Sequence, residues 1–380
     1  MVRPAARRAA RGGRRAGVTL HLYLARRFGR AFLVTAVAFG LLVGAVEAVE
    51  IARALRDVPA AGTGAALHLT LLALPGRLYE IGPLIVLLAA LALFLALSRQ
   101  SELAVARTSG RSALGLVAAP VALTLAVGAL LVAGFNPVVA ATLRKAEAVE
   151  ARFEGVANVL SISAEGLWLR QGDADGQTVI RARSASLDGE RLRDVTFVAY
   201  GPEGPESRIE ADGARLVPGR WELSGTKSWD LLSPNPEAAS IRTQEMTIPT
   251  DLTVERIRDG FGAPEAVNVW DLPGFIAGLE EAGFSARSHR VHLWSEVASP
   301  LFLAAMVLVG AAFVPRQSRA GGAWTRGGIA VLTGFALFFV RDFALALGQS
   351  GQAPVLLSAL APPAAALAIG ATLVLWMEEA

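Results

Sequence analysis

Apolar and polar positions follow two different periods along this chain. Six segments are apolar almost without interruption, at about 31–49, 81–97, 113–135, 297–314, 327–340 and 354–377. Most reach the roughly 17–25 residues that a helix needs to cross about 30 Å of hydrocarbon. The fifth is short and must continue past Arg341 and Asp342. The second is long, because helical character can begin at Ala65 and run to Leu97, about 50 Å at 1.5 Å per residue. Pro75 and Pro83 should kink it, with Arg77 and Glu80 between them. Such a helix either emerges from the bilayer or lines a polar-mouthed cavity.

Between about Val159 and Leu252 the period drops to two. Residues 160–163, 166–170, 195–200 and 220–223 alternate in side-chain character, with turn dipeptides at Asp175-Gly176, Asp188-Gly189, Asp212-Gly213 and Pro218-Gly219. Short alternating strands with Asp-Gly turns predict an antiparallel sandwich or jelly roll. Residues 143–153 instead read as helix continuing out of the third apolar segment. A short helix should follow the strands, capped by Asp271, ended by Gly283, with Phe275, Ile276 and Leu279 on one face. The expected fold is therefore a six-span α-helical membrane protein with an inserted all-β sandwich or jellyroll domain. Its divisions are 1–140 with the first three spans, 141–290 for the β domain with short flanking helices, and 291–380 with the last three.

Composition agrees. Of 380 residues, 53% are hydrophobic and 18% charged, with mean hydropathy +0.46. Soluble domains usually carry about 45–50% apolar and roughly 25% charged residues, so an ordinary soluble enzyme and a disordered chain are both excluded. The net charge of +3 hides a division: residues 140–290 hold 24 acidic and 17 basic side chains, a net of −7. The other 229 residues hold 9 acidic and 19 basic, a net of +10.

The arginines orient the spans. Nine Arg and no acid precede Glu47; Arg99, Arg107 and Arg111 flank the link between spans two and three; Arg316, Arg319 and Arg326 lie between spans four and five. By the positive-inside rule all three segments should be cytoplasmic. Six spans then put both termini in the cytoplasm and the β block outside. No small-x-small cleavage site follows the first segment, so it is read as a retained span.

Catalytic and nucleotide motifs are missing from the sequence. There is no cysteine, so no thiolate metal site or Cys nucleophile can form. His289 and His292 lack the glutamate of an H-E-x-x-H pair, and no third ligand is evident. Gly225-Thr226-Lys227-Ser228 fails as a phosphate loop on spacing and on compartment. Basic residues at membrane edges lack interleaved aromatics, so nucleic acid is not implied. No metal and no cofactor are expected in this chain.

The link between spans two and three, near 99–111, carries more. Ser101 can cap a short helix, Glu102 suits its positive end, and Gly110 suits its stop. With Leu103, Val105 and Ala106 on an apolar side, it either lies at the interface or inserts into the groove of a soluble partner.

Ser101-Glu102-Leu103-Ala104-Val105-x-Arg107-x-Ser109-Gly110 resembles the S-E-L-x-x-x-R/Q-x-x-G coupling-helix motif of the lipopolysaccharide export permeases LptF and LptG. Tyr23 in Leu-Tyr-Leu-Ala-Arg-Arg, the Pro75 and Pro83 pair, Gly166-Leu167-Trp168, Trp294-Ser295 and Ser299-Pro300-Leu301 extend the likeness along nearly the whole chain. Gly-Leu-Trp and Trp-Ser look like the LptG branch, which shares fold and topology with the LptF branch.

The resemblance implies one half of an ABC transporter permease. Its partners would be an LptF-type homologous chain, a dimeric cytoplasmic ATPase (LptB) that binds the ATP and docks on the coupling helices, and the single-span protein LptC. Together they would extract lipopolysaccharide from the inner membrane and pass it to a periplasmic bridge. Ser101, Glu102, Leu103, Arg107 and Gly110 become the expected ATPase-coupling residues, with Glu102 as first docking contact. Arg53, Arg56 and Arg77 become expected contacts to lipid phosphates, since Arg pairs phosphate bidentately. Glu47, Glu50 and Asp57 sit beside these arginines and could instead pair with them. Arg341-Asp342 reads as an internal pair, and spans one, two and five as the apolar cavity walls. A non-transporting anchor that displays a β binding domain is the competing class; it needs only one or two spans.

Overall fold

The computed structural model describes residues 3–56, 63–100, 102, 112–154, 160–163, 166–172, 177–185, 190–201, 204–250, 252–253, 263–281, 285–313 and 323–379. The chain divides into two compact units, 1–143 with 291–380, and 144–290.

The first unit is helical. In chain order it begins with α1 (Arg3–Ala54), α2 (Thr63–Glu80), α3 (Gly82–Arg99) and α4 (Ala113–Leu130). A π-turn at Leu131–Phe135 leads into α5 (Asn136–Glu154), which leaves the unit. The chain returns through α7 (Arg287–Ala312), α8 (Ala323–Gln349) and α9 (Val355–Glu379). Among the described residues, six helices are long and apolar enough to cross a membrane, at Leu20–Ala54, Gly82–Arg99, Leu114–Val149, Arg287–Ala312, Thr325–Gln349 and Val355–Trp376. The six apolar segments of the sequence map onto these one for one.

The long second span breaks in one place. Ile81 ends α2 and its carbonyl accepts from the N–H groups of Leu84 and Ile85, with Pro83 in the first turn of α3. Pro83 suits a helix start because its missing N–H would have no partner there. Pro75 is absorbed inside α2 without ending it. Each half is 18 residues, about 27 Å at the helical rise.

Burial ranks the helices. α7 is the centre: Phe302, Leu303, Ala305, Met306, Val307, Val309 and Ala312 all lie in one cluster with residues 86–97 of α3, Leu24 and Phe28 of α1, and Leu116 and Val117 of α4. α1 and α8 are peripheral. Leu33, Val34, Val37, Leu41 and Leu42 of α1, and Leu332, Phe339, Val340 and Phe343 of α8, are exposed. A helix in lipid has no need to bury such side chains.

Where α3 crosses α7, Gly310 lets two backbones meet. A Cβ there would stand 2.9 Å from the Cβ of Ala90 and 3.0 Å from the carbonyl oxygen of Leu87. Small residues drive close helix approach in membranes. Gly328 on α8 has nothing within 4 Å of an added Cβ. Gly328→Ala should therefore raise thermal stability through helix propensity, by up to about 1 kcal/mol. Gly310→Ala should lower it, because overpacking typically costs about 1–3 kcal/mol. Melting curves followed by size exclusion in detergent read both signs.

Among its described residues, the second unit holds a seven-stranded antiparallel sheet in the order β1 to β7. The strands are β1 (Leu160–Ser163), β2 (Gly166–Gly172), β3 (Gln177–Ala185), β4 (Arg191–Gly201), β5 (Gly204–Val217), β6 (Arg220–Asp230) and β7 (Ile241–Pro249). Pairing follows sequence order throughout, an up-and-down meander, and no crossover occurs among the described strands. Registers such as Leu169↔Ile180↔Phe197 and Leu192↔Ala214↔Leu223 place one apolar residue per strand on the same face. Those six are buried, and Trp221 is fully buried with its ring edge-on to Phe197 at 6.1 Å.

Pro218-Gly219 forms the expected tight turn, with Gly219 at φ +80° as the second central position requires. Asp212-Gly213 does not turn. It lies inside β5, because Gly225 on β6 adopts φ +65° and leaves room for the Asp212 carboxylate, which fills the space of the missing Cβ. Asp175-Gly176, Asp188-Gly189 and Gly283 lie outside the described residues. After a 3-10 turn at Pro264–Ala266, α6 (Leu272–Glu281) buries Leu272, Ile276 and Leu279 on one face.

Candidate functional site

Three polar constellations interrupt the apolar unit, each built where separate helices bring charge together.

The first joins the start of the first span to the residue after α3. Tyr23 and Arg27 are one helical turn apart on α1, so they share a face. Nη1 of Arg27 donates to both carboxylate oxygens of Glu102 at 2.9 Å. The Tyr23 hydroxyl donates to Oε2 of Glu102 at 3.0 Å and accepts from Arg27. Nη2 of Arg27 donates to Oε1 of Gln100, and the guanidinium carbon lies 5.6 Å from the Tyr23 ring centroid. Three contacts converge on one carboxylate that keeps 37% of its side-chain surface exposed. Glu102 is thus positioned by α1 and still accessible. Of the other expected coupling residues, Ser101, Leu103, Arg107 and Gly110 lie outside the described residues.

The second lies where α1 ends and α2 runs back beside it. Leu78 and Leu74 of α2 pack at Gly40 and Gly44 of α1, so the two helices run antiparallel in contact. Nε and Nη2 of Arg77 donate to the two oxygens of Glu47 at 3.2 and 3.4 Å. Glu80 stands 3.9 Å away. The Arg77 side chain nevertheless remains 53% exposed. Arg53 and Arg56 are exposed at the end of α1, and neither makes an ion pair among the described residues.

The third, apart from the Arg341-Asp342 pair read from the sequence, was not legible there. Tyr79 of α2 donates its hydroxyl to Oε2 of Glu296 on α7, and the Asn136 side chain also bonds that hydroxyl. Nε2 of His292 lies 3.9 Å from the other Glu296 oxygen. Glu296, Asn136 and His292 are all buried, and Phe135 stacks on Tyr79 at 6.3 Å. The π-turn sets this up: it displaces the helix just before Asn136, as π-turns at functional positions do. Arg341 and Asp342 form an ion pair at 3.5 Å, and the Arg341 guanidinium lies over Phe302 at 5.4 Å. The sequence signal for this cluster is a lone Glu296 beside an apolar span, since ionisable groups inside membranes are rarely idle.

In the β unit, cations line the polar face. Lys227 lies 4.5 Å from the Trp229 ring, and Glu237 accepts from both Lys227 and the Trp229 indole. Those two donors hold the exposed Glu237 carboxyl below its ordinary range. Lys227 is therefore in a paired strand, where the sequence Gly225-Thr226-Lys227-Ser228 makes no loop.

The lipopolysaccharide export system permease LptF/LptG family matches residues 22–376. The lipopolysaccharide export system permease protein LptG of Escherichia coli (strain K12) is 25% identical over 282 residues, which is 71% of this chain and 73% of that protein. The protein of the same name from Escherichia coli O6:H1 (strain CFT073) gives the same figures. The match begins before the Tyr23–Arg27 pair and ends near the last turn of α9, so it takes in all six spans and the sheet between them. The chain belongs to the LptF/LptG family of lipopolysaccharide export permeases.

Proposed function

We propose that this chain is the LptG-type permease subunit of an ATP-driven exporter. In this reading it takes lipopolysaccharide from the inner membrane and passes it to a periplasmic bridge. A homologous LptF-type chain completes the permease, LptC adds a single span, and an LptB dimer hydrolyses the ATP. The two curated relatives support the LptG branch, and the arginine distribution supports cytoplasmic termini with a periplasmic sheet.

One observation carries the reading. Glu102, the acidic residue of the coupling motif, is fastened to the first span by Arg27 and Tyr23. A force applied to the segment around Glu102 would reach α1 through three hydrogen-bonded contacts. α1 in turn presents its exposed apolar stripe, as does α8. Motion of α1 against a neighbouring subunit would open a path for acyl chains.

Phosphate recognition then falls at the far end of α1. Arg53 and Arg56 are the accessible cations, while Arg77 shares its guanidinium with Glu47. Arg53→Glu should cut photocrosslinking of lipopolysaccharide to this end by about tenfold, as a charge-assisted bidentate contact is worth roughly 1.5–3 kcal/mol. Arg77→Gln should have a smaller effect. Unchanged crosslinking and export in Arg53→Glu would discard the head-group assignment.

A further inference from the structure

The arginines at the opposite end of α1 form a site of their own. An open groove of about 580 Å³ is lined by Leu22, Tyr23, Arg26, Arg27, Arg30 and Gln100. Arg27 is committed to Glu102 and Gln100. Arg26 and Arg30 are exposed, one turn apart on the same face, and make no ion pair among the described residues. Among the described residues, three guanidiniums against one carboxylate give the groove and its Glu102 neighbour a net charge of +2.

Its position restricts the ligand. Arg30 is the last charged residue before the apolar run that begins at Ala31, so the groove lies at the membrane–water boundary. Leu22 and Tyr23 are also exposed beside it, and a ring with a polar tip suits that boundary. A soluble anion would gain nothing from this apolar rim, whereas a lipid with a phosphodiester head would use both parts. Arg presents a planar fork that matches two phosphate oxygens. Arg26 and Arg53 are 27 positions apart on one helix, about 40 Å at the helical rise, so this groove is separate from the end proposed to meet lipopolysaccharide.

We propose that the groove binds the phosphate of an anionic phospholipid in the leaflet at the Arg26 end of α1. The bound head group would sit beside the Tyr23–Arg27–Glu102 network and hold the foot of α1 at a fixed depth. This inference does not rest on the cargo or on ATP coupling, only on the membrane spans.

The test uses the full chain with its co-purifying subunits in nanodiscs of phosphatidylcholine containing a minority of phosphatidylglycerol. Native mass spectrometry after extraction gives the ratio of retained phosphatidylglycerol to phosphatidylcholine. Each juxtamembrane arginine contributes about a fivefold preference for anionic lipid, so Arg26→Gln/Arg30→Gln should lower that ratio roughly twentyfold. Arg26→Lys/Arg30→Lys keeps the charge without the fork and should fall between, which separates lipid recognition from misfolding. Equal ratios in the unaltered chain and the Gln variant would overturn the proposal. So would saturable binding of inorganic phosphate in pure phosphatidylcholine discs with no phosphatidylglycerol preference, which would make the ligand a free anion. Loss of a co-purifying subunit from the Gln variant with the lipid ratio unchanged would also overturn it, in favour of a protein contact.

Discussion

A Glu102→Lys variant should insert normally, lose its ATPase partner on purification, and show export reduced to background. The substitution acts twice. It replaces the accessible carboxylate with a cation, and it sets that cation against Arg27, whose Nη1 now lies 2.9 Å from both Glu102 oxygens. Surface pairs of this kind contribute at most about 1 kcal/mol to stability, so the fold should survive. Docking is different, because reversing a charge buried by a partner commonly costs several kcal/mol. Arg27→Gln separates the two effects. It breaks the internal pair while leaving Glu102 intact, so the ATPase should still co-purify but hydrolysis should lose its link to export. The double change Arg27→Glu/Glu102→Lys restores the internal pair in reverse and should not restore docking. Retention of both the ATPase and export in Glu102→Lys would remove the coupling assignment.

The second large effect concerns stability. Glu296→Ala should lower the melting temperature of the helical unit by several degrees, at a cost of about 3 kcal/mol. The carboxylate is 4% exposed and holds the Tyr79 hydroxyl, with His292 beside it. Removing it leaves buried polar groups short of a partner, which costs roughly 1–3 kcal/mol, and opens a cavity as well. Glu296→Gln keeps the shape and an acceptor, so it should cost far less. Tyr79→Phe should fall between them, since Asn136 and Glu296 both lose the hydroxyl they share. Equal melting temperatures for the Ala and Gln variants would mean that the cluster does not hold these helices together.

These two sites differ in how far the sequence foretold them. Spans and strands were legible because each rests on a local pattern: uninterrupted apolar length for the helices, alternation of period two for β2, β4 and β6. The break at Ile81 was also legible, as Pro83 forbids the interior hydrogen bond. Glu102 stood out through its motif, yet its clamp did not, because Tyr23 lies 79 positions away. The Tyr79–Glu296 bond spans 217 positions and obeys no motif. Asn136 directly follows the π-turn, and nothing in Leu131–Phe135 signals a π-turn by composition. Asp212-Gly213 misled for a related reason: the turn rule sees two adjacent residues, while the space that Asp212 occupies is set by Gly225 on the next strand.

The distribution of charge gains meaning from the structure. Glu47 does pair with Arg77, and Arg53 and Arg56 near the Ala54 end of α1 stay exposed. At the other end Glu102 pairs with Arg27, one of three arginines that line one groove. The first arrangement suits a cargo that must leave again, and the second a contact that stays.

The central claim is that this chain moves lipopolysaccharide when a separate ATPase acts on it. Its most direct test is ATP-dependent release of lipopolysaccharide from proteoliposomes. They would hold the chain with its co-purifying subunits, and a soluble β-jellyroll acceptor would be present outside. Release that requires ATP and disappears in Glu102→Lys is the expected result. Lipopolysaccharide retained in the vesicles under every ATPase pairing, with hydrolysis indifferent to the lipid, would contradict the account.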